Sequence, residues 1–204
     1  MGKVHEEMTQ RTKKEIQTGF IELVIEVGFQ NVTVKNIAER VKINRGTFYL
    51  HFLDKYDVME QIQKNLIEDL QNKISIITPH DAFTYIKQQK IYPPFIAVYE
   101  FVYDNAVTLK AILGDKGDPS FAKKVKQVLD NILIARLSNF FPILEDEEFQ
   151  KYFSAFLTSA ILGLFQEWLE DYEGKTVEDF AKIHFQILSL ISHLGAIATK
   201  NSIS

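Results

Sequence analysis

The sequence predicts an all-α protein, with a small N-terminal three-helix helix-turn-helix bundle joined to a larger helical domain. Three observations support this fold class. Apolar residues recur at helical spacing along most of the chain, and no segment alternates apolar and polar residues as a β-strand does. Two short helical segments also follow one another between residues 33 and 53, as in a helix-turn-helix unit. At 204 residues, the chain is long enough for one or two domains with a substantial core.

The first two helices are expected before residue 42. The first should cover about residues 11–27, because Phe20 and Val24 fall on one face and Gly28 provides a C-terminal stop. The second should begin after Thr33, whose hydroxyl can cap the first turn of a helix.

A turn over residues 42–44 leads to the third helix, with Asn44 as its cap. Phe48 and Phe52 are four residues apart, so both can face the core. Gly46 weakens a helix but permits close approach of its backbone to a partner. The polar side chains that could meet that partner are Arg45, Thr47, Tyr49 and His51.

The rest of the chain is expected to form further helices separated by Gly- and Pro-containing segments. A long helix should begin at Lys55, behind a capping box made by Asp54 and Asp57, and end before Pro79. The later helices are expected at about 82–90, 95–113 with a break near Asn105, 120–140, 147–172 and 177–199.

The most specific motif is the run Thr-Phe-Tyr-Leu-His-Phe-Leu-Asp-Lys-Tyr-Asp over residues 47–57. It is preceded by Gly28-Phe29, Thr33-Val34 and Ile37-Ala38. Together with these residues, the segment from about residue 11 to 59 resembles the DNA-binding domain of the TetR family of bacterial transcriptional regulators. Lys42 departs from the pattern, since many members have a glycine there, and this leaves the geometry of the turn open.

The resemblance implies a role in DNA recognition for this segment. It implies phosphate contacts from Thr33, Tyr49 and Lys55, and base contacts from Arg45 and Thr47. One short recognition helix reads few base pairs, so such proteins pair their half-sites about 34–36 Å apart. The expected partners are therefore a palindromic double-stranded operator and a second copy of the chain. The candidate DNA-binding residues are Thr33, Lys35, Asn44, Arg45, Gly46, Thr47, Tyr49, His51 and Lys55.

The charge of the chain argues weakly against DNA binding. The formal charge is −4 and the pI is about 5.8, whereas DNA-binding domains usually carry a basic surface. Between residues 35 and 55, however, five basic residues accompany two acidic ones, a net charge of +3. Because salt screens charges more than about 10 Å apart, such a local patch suffices for phosphate contacts. The residues are Lys35, Arg40, Lys42, Arg45 and Lys55, against Glu39 and Asp54.

The remaining chain is expected to form a second domain. Residues 99–105, 113–115 and 160–170 look like the C-terminal domain of a TetR branch common in Gram-positive bacteria. This resemblance implies an all-α domain for effector binding and dimerisation, without naming an effector. We therefore expect residues 1–53 to form the DNA-binding domain and residues 54–204 the second domain.

Two sets of side chains are candidates for the functions of this second domain. Small residues repeat every fourth position at Ala155, Ser159 and Gly163, which allows close helix approach. The alternative is that both sets simply pack within the subunit. The candidate dimer interface is Ala155, Ser159, Gly163, Trp168, Phe180, Ile187 and Ile191, and the candidate ligand-binding residues are Phe83, Tyr99, Tyr103 and Phe121.

Several function classes lack a sequence signal. The chain has no cysteine, which excludes disulfides and thiolate metal sites, and no metal-binding or catalytic motif, so we expect no cofactor and no enzyme. It shows no signal peptide and no membrane-spanning apolar run, which predicts a cytoplasmic protein without membrane contact. The sequence thus predicts a ligand-responsive, homodimeric repressor. The alternative is a helical ligand- or protein-binding module that has lost DNA recognition, which the retained Arg45 and Tyr49 disfavour.

Overall fold

The computed structural model describes the backbone of residues 2–139 and 141–201, and the side chains of residues 5–139 and 141–193. Over these residues the chain is helical and contains no strand, so the predicted all-α class is confirmed. Phe140, where the predicted helix over 120–140 ends, lies outside the described residues. The helices are α1 (Gly2–Val27), α2 (Val34–Arg40), α3 (Arg45–Tyr49), α4 (Lys55–Ile74), α5 (Pro79–Lys87), α6 (Pro93–Asp104), α7 (Ala106–Leu113), α8 (Pro119–Leu129), α9 (Ala135–Ser138), α10 (Glu147–Glu170) and α11 (Val177–Asn201).

Some element bounds differ from the expectation. Helix α1 begins at Gly2, well before the expected residue 11. Pro79 and Pro93 were expected between helices but occupy the first turns of α5 and α6. Proline suits that position because its fixed φ is helical and its missing N–H is not needed there. A π-helical turn, Asp130–Ile134, interrupts the helix expected over 120–140.

The helix caps expected from the sequence are confirmed. The side chains of Thr33 and Asn44 each accept a hydrogen bond from the backbone N–H three residues further on, at 3.2 and 2.8 Å. Asp54 Oδ1 accepts from the N–H of Asp57 at 2.9 Å, and Asp57 Oδ2 accepts from the N–H of Leu53 at 2.8 Å. These bonds satisfy N–H groups that have no partner within their own helix.

The first of two compact units comprises the residues up to Glu68 together with Val107–Lys124. Phe48 and Phe52 are buried in its core, as the sequence predicts. Gly19 allows α1 to approach α2, because a Cβ at this position would lie 2.5 Å from Cγ1 of Val41.

A polar cluster joins the segment around α7 and α8 to α4 within this unit. Gln63 is buried, and its amide donates to Asp118 Oδ2 at 2.7 Å. Its amide oxygen accepts from Lys124 Nζ at 2.7 Å. The N–H of Phe29 also donates to the carbonyl of Lys116 at 2.9 Å. The unit therefore includes residues far beyond 53, while the functional boundary expected between residues 53 and 54 stays a prediction.

The second compact unit comprises Asp69–Ala106 and the residues from Val125 onward. Its Arg136 caps the C-terminal end of α4. The guanidinium donates to the carbonyls of Ile74 at 3.2 Å and Ser75 at 2.8 Å, and also to that of Ile77. A basic side chain at this end satisfies carbonyls that have no partner within the helix.

Aromatic side chains fill the core between α6, α10 and α11. Trp168 and Phe180 stack with ring centroids 4.1 Å apart. Beside them, Tyr99 Oη shares a hydrogen bond with Nδ1 of His184, and Phe95 stacks on the imidazole. Burial lowers the pKa of His184 to about 4 and raises the pKa of Tyr99. Both side chains are therefore neutral at neutral pH.

We expect His184 to make the protein sensitive to acid. Between the ordinary imidazole pKa of about 6.5 and the folded-state pKa of about 4, the unfolded chain binds more protons than the folded one. The stability due to neutral His184 is thus complete above pH 6.5 and is lost as the pH falls towards 4, by up to about 3 kcal/mol. Denaturant unfolding at about pH 7 and about pH 4.5 measures this loss, which should be smaller in His184→Phe. An equal loss in both proteins would contradict the prediction.

Candidate nucleic-acid interface

The turn between α2 and α3 is sharp because Lys42 adopts a left-handed backbone conformation. Its φ is +57°, a region that glycine enters easily and other residues enter at a cost. The N–H of Ile43 donates to the carbonyl of Ala38 at 3.0 Å and closes the turn. Lys42 therefore adopts the backbone conformation that a glycine at this position would adopt easily. The turn keeps this left-handed geometry although a lysine replaces the glycine of the resembled pattern.

Helix α3 presents Arg45 and Tyr49 on its exposed surface. Phe48 is buried on the neighbouring, core-facing side of the helix, and Tyr49 packs edge-on against it, with ring centroids 5.5 Å apart. The guanidinium of Arg45 lies 3.4 Å from Tyr49 Oη, a weak contact that leaves most of its donors available. The hydroxyl of Thr47 donates to Oδ1 of Asn44 at 3.2 Å. Arg45 and Tyr49 are thus exposed together, whereas Thr47 is half-buried and bonded to the cap residue of its own helix.

His51 and Lys13 lie beside each other at the edge of this surface. Burial lowers the pKa of His51, and the charge of Lys13 lowers it further. The Lys13 ammonium lies 5.9 Å from the ring centroid of Phe52. Reasoning from the sequence missed Lys13, because it is on α1 and only the fold places it near α3. It adds a cation to the candidate interface.

Arg40 is held by two carboxylates of α1. Its guanidinium contacts Glu26 at 2.6 and 2.8 Å and Glu22 at 3.0 Å. The hydrogen bonds that Arg40 donates to Glu26 and Glu22 raise the pKa of Arg40, and the contact with Arg40 lowers the pKa of Glu26. Arg40 therefore fastens α2 to α1, although the sequence counts it among the cations near DNA.

Lys55 is similarly engaged within the fold. Its ammonium donates to the carbonyls of Phe29 at 3.0 Å and Gln30 at 2.8 Å. It also lies 5.2 and 5.4 Å from the ring centroids of Phe29 and Tyr56. An ammonium has three N–H donors, so at most one remains for a phosphate. The phosphate contact expected of Lys55 stays a prediction. The structural role of Lys55 is to hold the 3-10 turn Phe29–Asn31, which follows α1.

Three of the five basic residues remain exposed and free of short ion pairs among the described residues: Lys35, Lys42 and Arg45. Lys35 Nζ lies 3.9 Å from a Glu39 oxygen, but such an exposed pair contributes little. The hydroxyl of Thr33, another expected phosphate ligand, donates to Oδ1 of Asn36 at 2.5 Å. The cationic surface is thus smaller than the sequence count suggests.

The four candidate ligand-binding aromatics do not come together around one described cavity. Tyr99 is buried and lines a cavity of about 10 Å³ in the second unit, while Phe121 is buried in the first unit. Tyr103 stacks beside Trp168, and Phe83 packs edge-on against Phe141 elsewhere. A cavity of 10 Å³ holds about one water molecule. Effector binding by these residues stays a prediction.

The candidate dimer residues fall into two groups. Trp168 and Phe180 are only 3% and 2% exposed, because they stack on each other in the core of the second unit. Their side chains therefore pack within the subunit, as the alternative interpretation held, and cannot form an exposed interface. The exposed members are Ala155, Ser159, Gly163, Ile187 and Ile191. An interface role for this exposed group stays a prediction.

The described residues offer neither a cluster of metal ligands nor a membrane-spanning helix. No group of three or more His, Cys, Asp or Glu side chains there is placed to hold a metal ion. Among the described helices, none combines the length and the apolar character needed to cross a lipid bilayer.

Comparison with known families and proteins matches both parts of the chain. Residues 21–62 match the family described as bacterial regulatory proteins, tetR family. Residues 89–190 match the family described as transcriptional regulator C-terminal region. An uncharacterised HTH-type transcriptional regulator of Bacillus subtilis strain 168 is 23% identical over 190 residues. The match covers 89% of this chain but only 46% of that protein, so the chain spans about half the length of this relative.

Solved structures share the fold. A TetR transcriptional regulator from Streptococcus agalactiae 2603V is 21% identical, with a TM-score of 0.61 over 92% of this chain and 98% of that one. A transcriptional regulator from Aquifex aeolicus VF5 is 20% identical, with a TM-score of 0.60 over 88% of this chain and 99% of that one.

We expect Lys42→Gly to leave the stability unchanged or to raise it by up to about 1 kcal/mol. Glycine removes the cost of a left-handed side-chain-bearing residue, and its greater freedom in the unfolded chain offsets part of that gain. Lys35→Gly is the matched control, since it removes the same side chain from a right-handed helix and should cost about 0.5–1 kcal/mol. Thermal unfolding of both variants tests the turn conformation. Equal destabilisation by the two changes would contradict it.

Proposed function

This chain belongs to the TetR family of bacterial transcriptional regulators, and we propose that it represses its target genes as a homodimer bound to a palindromic DNA site. The observation that carries the proposal is the way in which helix α3 is capped and packed. Its capped start and its buried Phe48 orient Arg45 and Tyr49 towards solvent. A protein- or ligand-binding module that had lost DNA recognition would not require this arrangement, which makes the alternative the weaker one.

Specific and general DNA contacts come from different residues of this surface. An arginine on a recognition helix can donate two hydrogen bonds to O6 and N7 of a guanine, so we assign Arg45 to base reading. We assign Lys35 and Lys42 to phosphates, since they are exposed at the start of α2 and in the turn. Phosphate contacts set affinity and salt dependence, while base contacts set sequence preference.

Dimerisation is supported by apolar side chains on the surface of α10 and α11. Ile187 and Ile191 are exposed one helical turn apart, and Leu190 is exposed beside them. On α10, Tyr152 and Phe156 are likewise exposed one turn apart. A concentration of large apolar side chains on the surface marks an interaction site. We assign this surface to the partner protomer, whose recognition helix then reaches the second half-site.

We assign effector binding to the aromatic core of the second unit. There the indole Nε1 of Trp168 is buried and has no hydrogen-bond partner among the described atoms. A small molecule with an acceptor could satisfy it if the core opened, since the cavity beside Tyr99 is too small as it stands. Such a ligand would favour the open conformation and could thereby change the half-site spacing. We propose that the repressor acts in the cytoplasm, and we assign the chain no catalytic step.

We expect Arg45→Ala to weaken binding to the best DNA site by about 1–3 kcal/mol and to relax the preference at one base pair. Lys35→Ala is the matched comparison. It should weaken binding to all sequences alike and reduce the slope of affinity against salt by about one phosphate contact. Selection of a site from random DNA, followed by titrations at several salt concentrations, distinguishes the two effects. The proposal fails if neither change alters affinity for the selected site.

We expect Ile191→Glu to dissociate the dimer and to weaken binding to the palindromic site, because it places a charge in a desolvated apolar interface. Ile76→Glu is the control, since Ile76 is also 58% exposed but lies in the connection after α4. Sedimentation of each variant measures the mass of the assembly against the 23.6 kDa of one chain. A dimer that survives Ile191→Glu, or a monomeric wild type, would contradict the assignment.

A further inference from the structure

Leu50 directly follows Tyr49 at the end of helix α3, the proposed recognition helix, and its side chain points directly away from the core. Its backbone continues the helix beyond Tyr49, with φ −74° and ψ −18°, and its N–H donates to the carbonyl of Gly46 at 3.2 Å. At 3.6 residues per turn, its side chain is about 160° around the axis from both Phe48 and Phe52. Those two phenylalanines are buried, and Leu50 is 82% exposed.

Gly46 lies one turn before Leu50 on the same outward line. Among the described residues, a Cβ at Gly46 would meet only Oδ1 of Asn44, at 3.0 Å, so none of the other described residues covers this position. Arg45 and Tyr49 lie on one side of the line, and Thr47 lies on the other. The helix can therefore approach a partner closely at Gly46, and Leu50 is the side chain that extends from the middle of the approaching surface.

The chemistry of the DNA major groove limits what such a side chain can contact. Base edges there present hydrogen-bond donors and acceptors, and a single apolar group, the C5-methyl of thymine. Leucine has no hydrogen-bonding atom, so contact with a polar edge would remove water without replacing its hydrogen bonds. A thymine methyl, in contrast, gains from burial against the leucine.

We propose that Leu50 determines specificity by packing against the C5-methyl group of a thymine in each half-site. This inference rests on the proposed DNA-binding function and adds one recognised group to it. Arg45 reads hydrogen-bonding atoms at one position, while Leu50 reads a methyl group at another. A preference for thymine then arises without any polar contact from Leu50.

Exposure by itself does not carry the inference, since single exposed leucines are ordinary on protein surfaces. The inference depends instead on the position of Leu50 at the centre of the outward line of the helix. Leu53 makes the comparison direct, because it is 81% exposed yet lies beyond α3, in the segment that leads into α4. It provides a control with the same side chain and the same exposure.

The experiment uses the full chain and the DNA site that it selects from a random pool. Each thymine of one half-site is replaced in turn by deoxyuridine, which keeps base pairing and removes only the C5-methyl. We expect one position where the wild-type protein loses about fourfold in affinity, the change that burial of one methyl-sized group supports. Leu50→Ala should bind both DNAs equally at that position, whereas Leu53→Ala should retain the fourfold difference.

The outcomes separate this inference from the proposed function. Wild-type protein that selects a defined site supports DNA recognition, whatever the uridine series shows. If no uridine lowers affinity, or if Leu50→Ala loses as much as wild type at every uridine, Leu50 does not read a methyl. If wild type selects no site, the proposed function fails and the role of Leu50 fails with it. An unchanged melting temperature of Leu50→Ala, expected from its exposure, shows that the lost response is not a folding defect.

Discussion

Burial of Phe48 and Phe52 is the interaction on which the proposed DNA recognition depends. Helix α3 has only five residues, Arg45–Tyr49, and a helix of that length is not stable in water without tertiary support. The two phenylalanines supply that support, and the cap at Asn44 defines where the helix begins. Once this side is buried, helical geometry determines which residues face outward, and so which of them are available to the proposed DNA site.

Two of the basic side chains near α3 form contacts within the protein. Arg40 joins α2 to α1, and Lys55 holds the 3-10 turn that follows α1. Both contacts orient the elements beside α3, so these residues can act on the proposed recognition only through the position of α3. What remains for DNA is a small set of exposed cations, with Lys13 added by the fold. A limited cationic surface agrees with the acidic chain and with the proposal that base contacts set its sequence preference.

In the second unit, buried apolar residues are distinct from those assigned to the proposed dimer interface. Trp168 and Phe180 stack in the core, while other apolar residues of α10 and α11 are exposed. The helical spacing of apolar residues cannot distinguish these two roles, because both place apolar side chains at the same intervals. Which side of a helix faces its own subunit depends on how the helices pack.

The sequence by itself determined the all-α class, the caps at Thr33, Asn44 and Asp54, the break at Asn105, and the inward side of α3. Each of these features depends on interactions between residues that are at most about four positions apart, so the local sequence pattern is enough to predict it. Only the tertiary structure decided that Arg40 and Lys55 are engaged, since their partners lie 14–26 residues away. It also decided that Trp168 is core and that Lys13 lies near His51. Such contacts depend on how the helices pack in space, and the spacing of residues along the chain does not determine that packing.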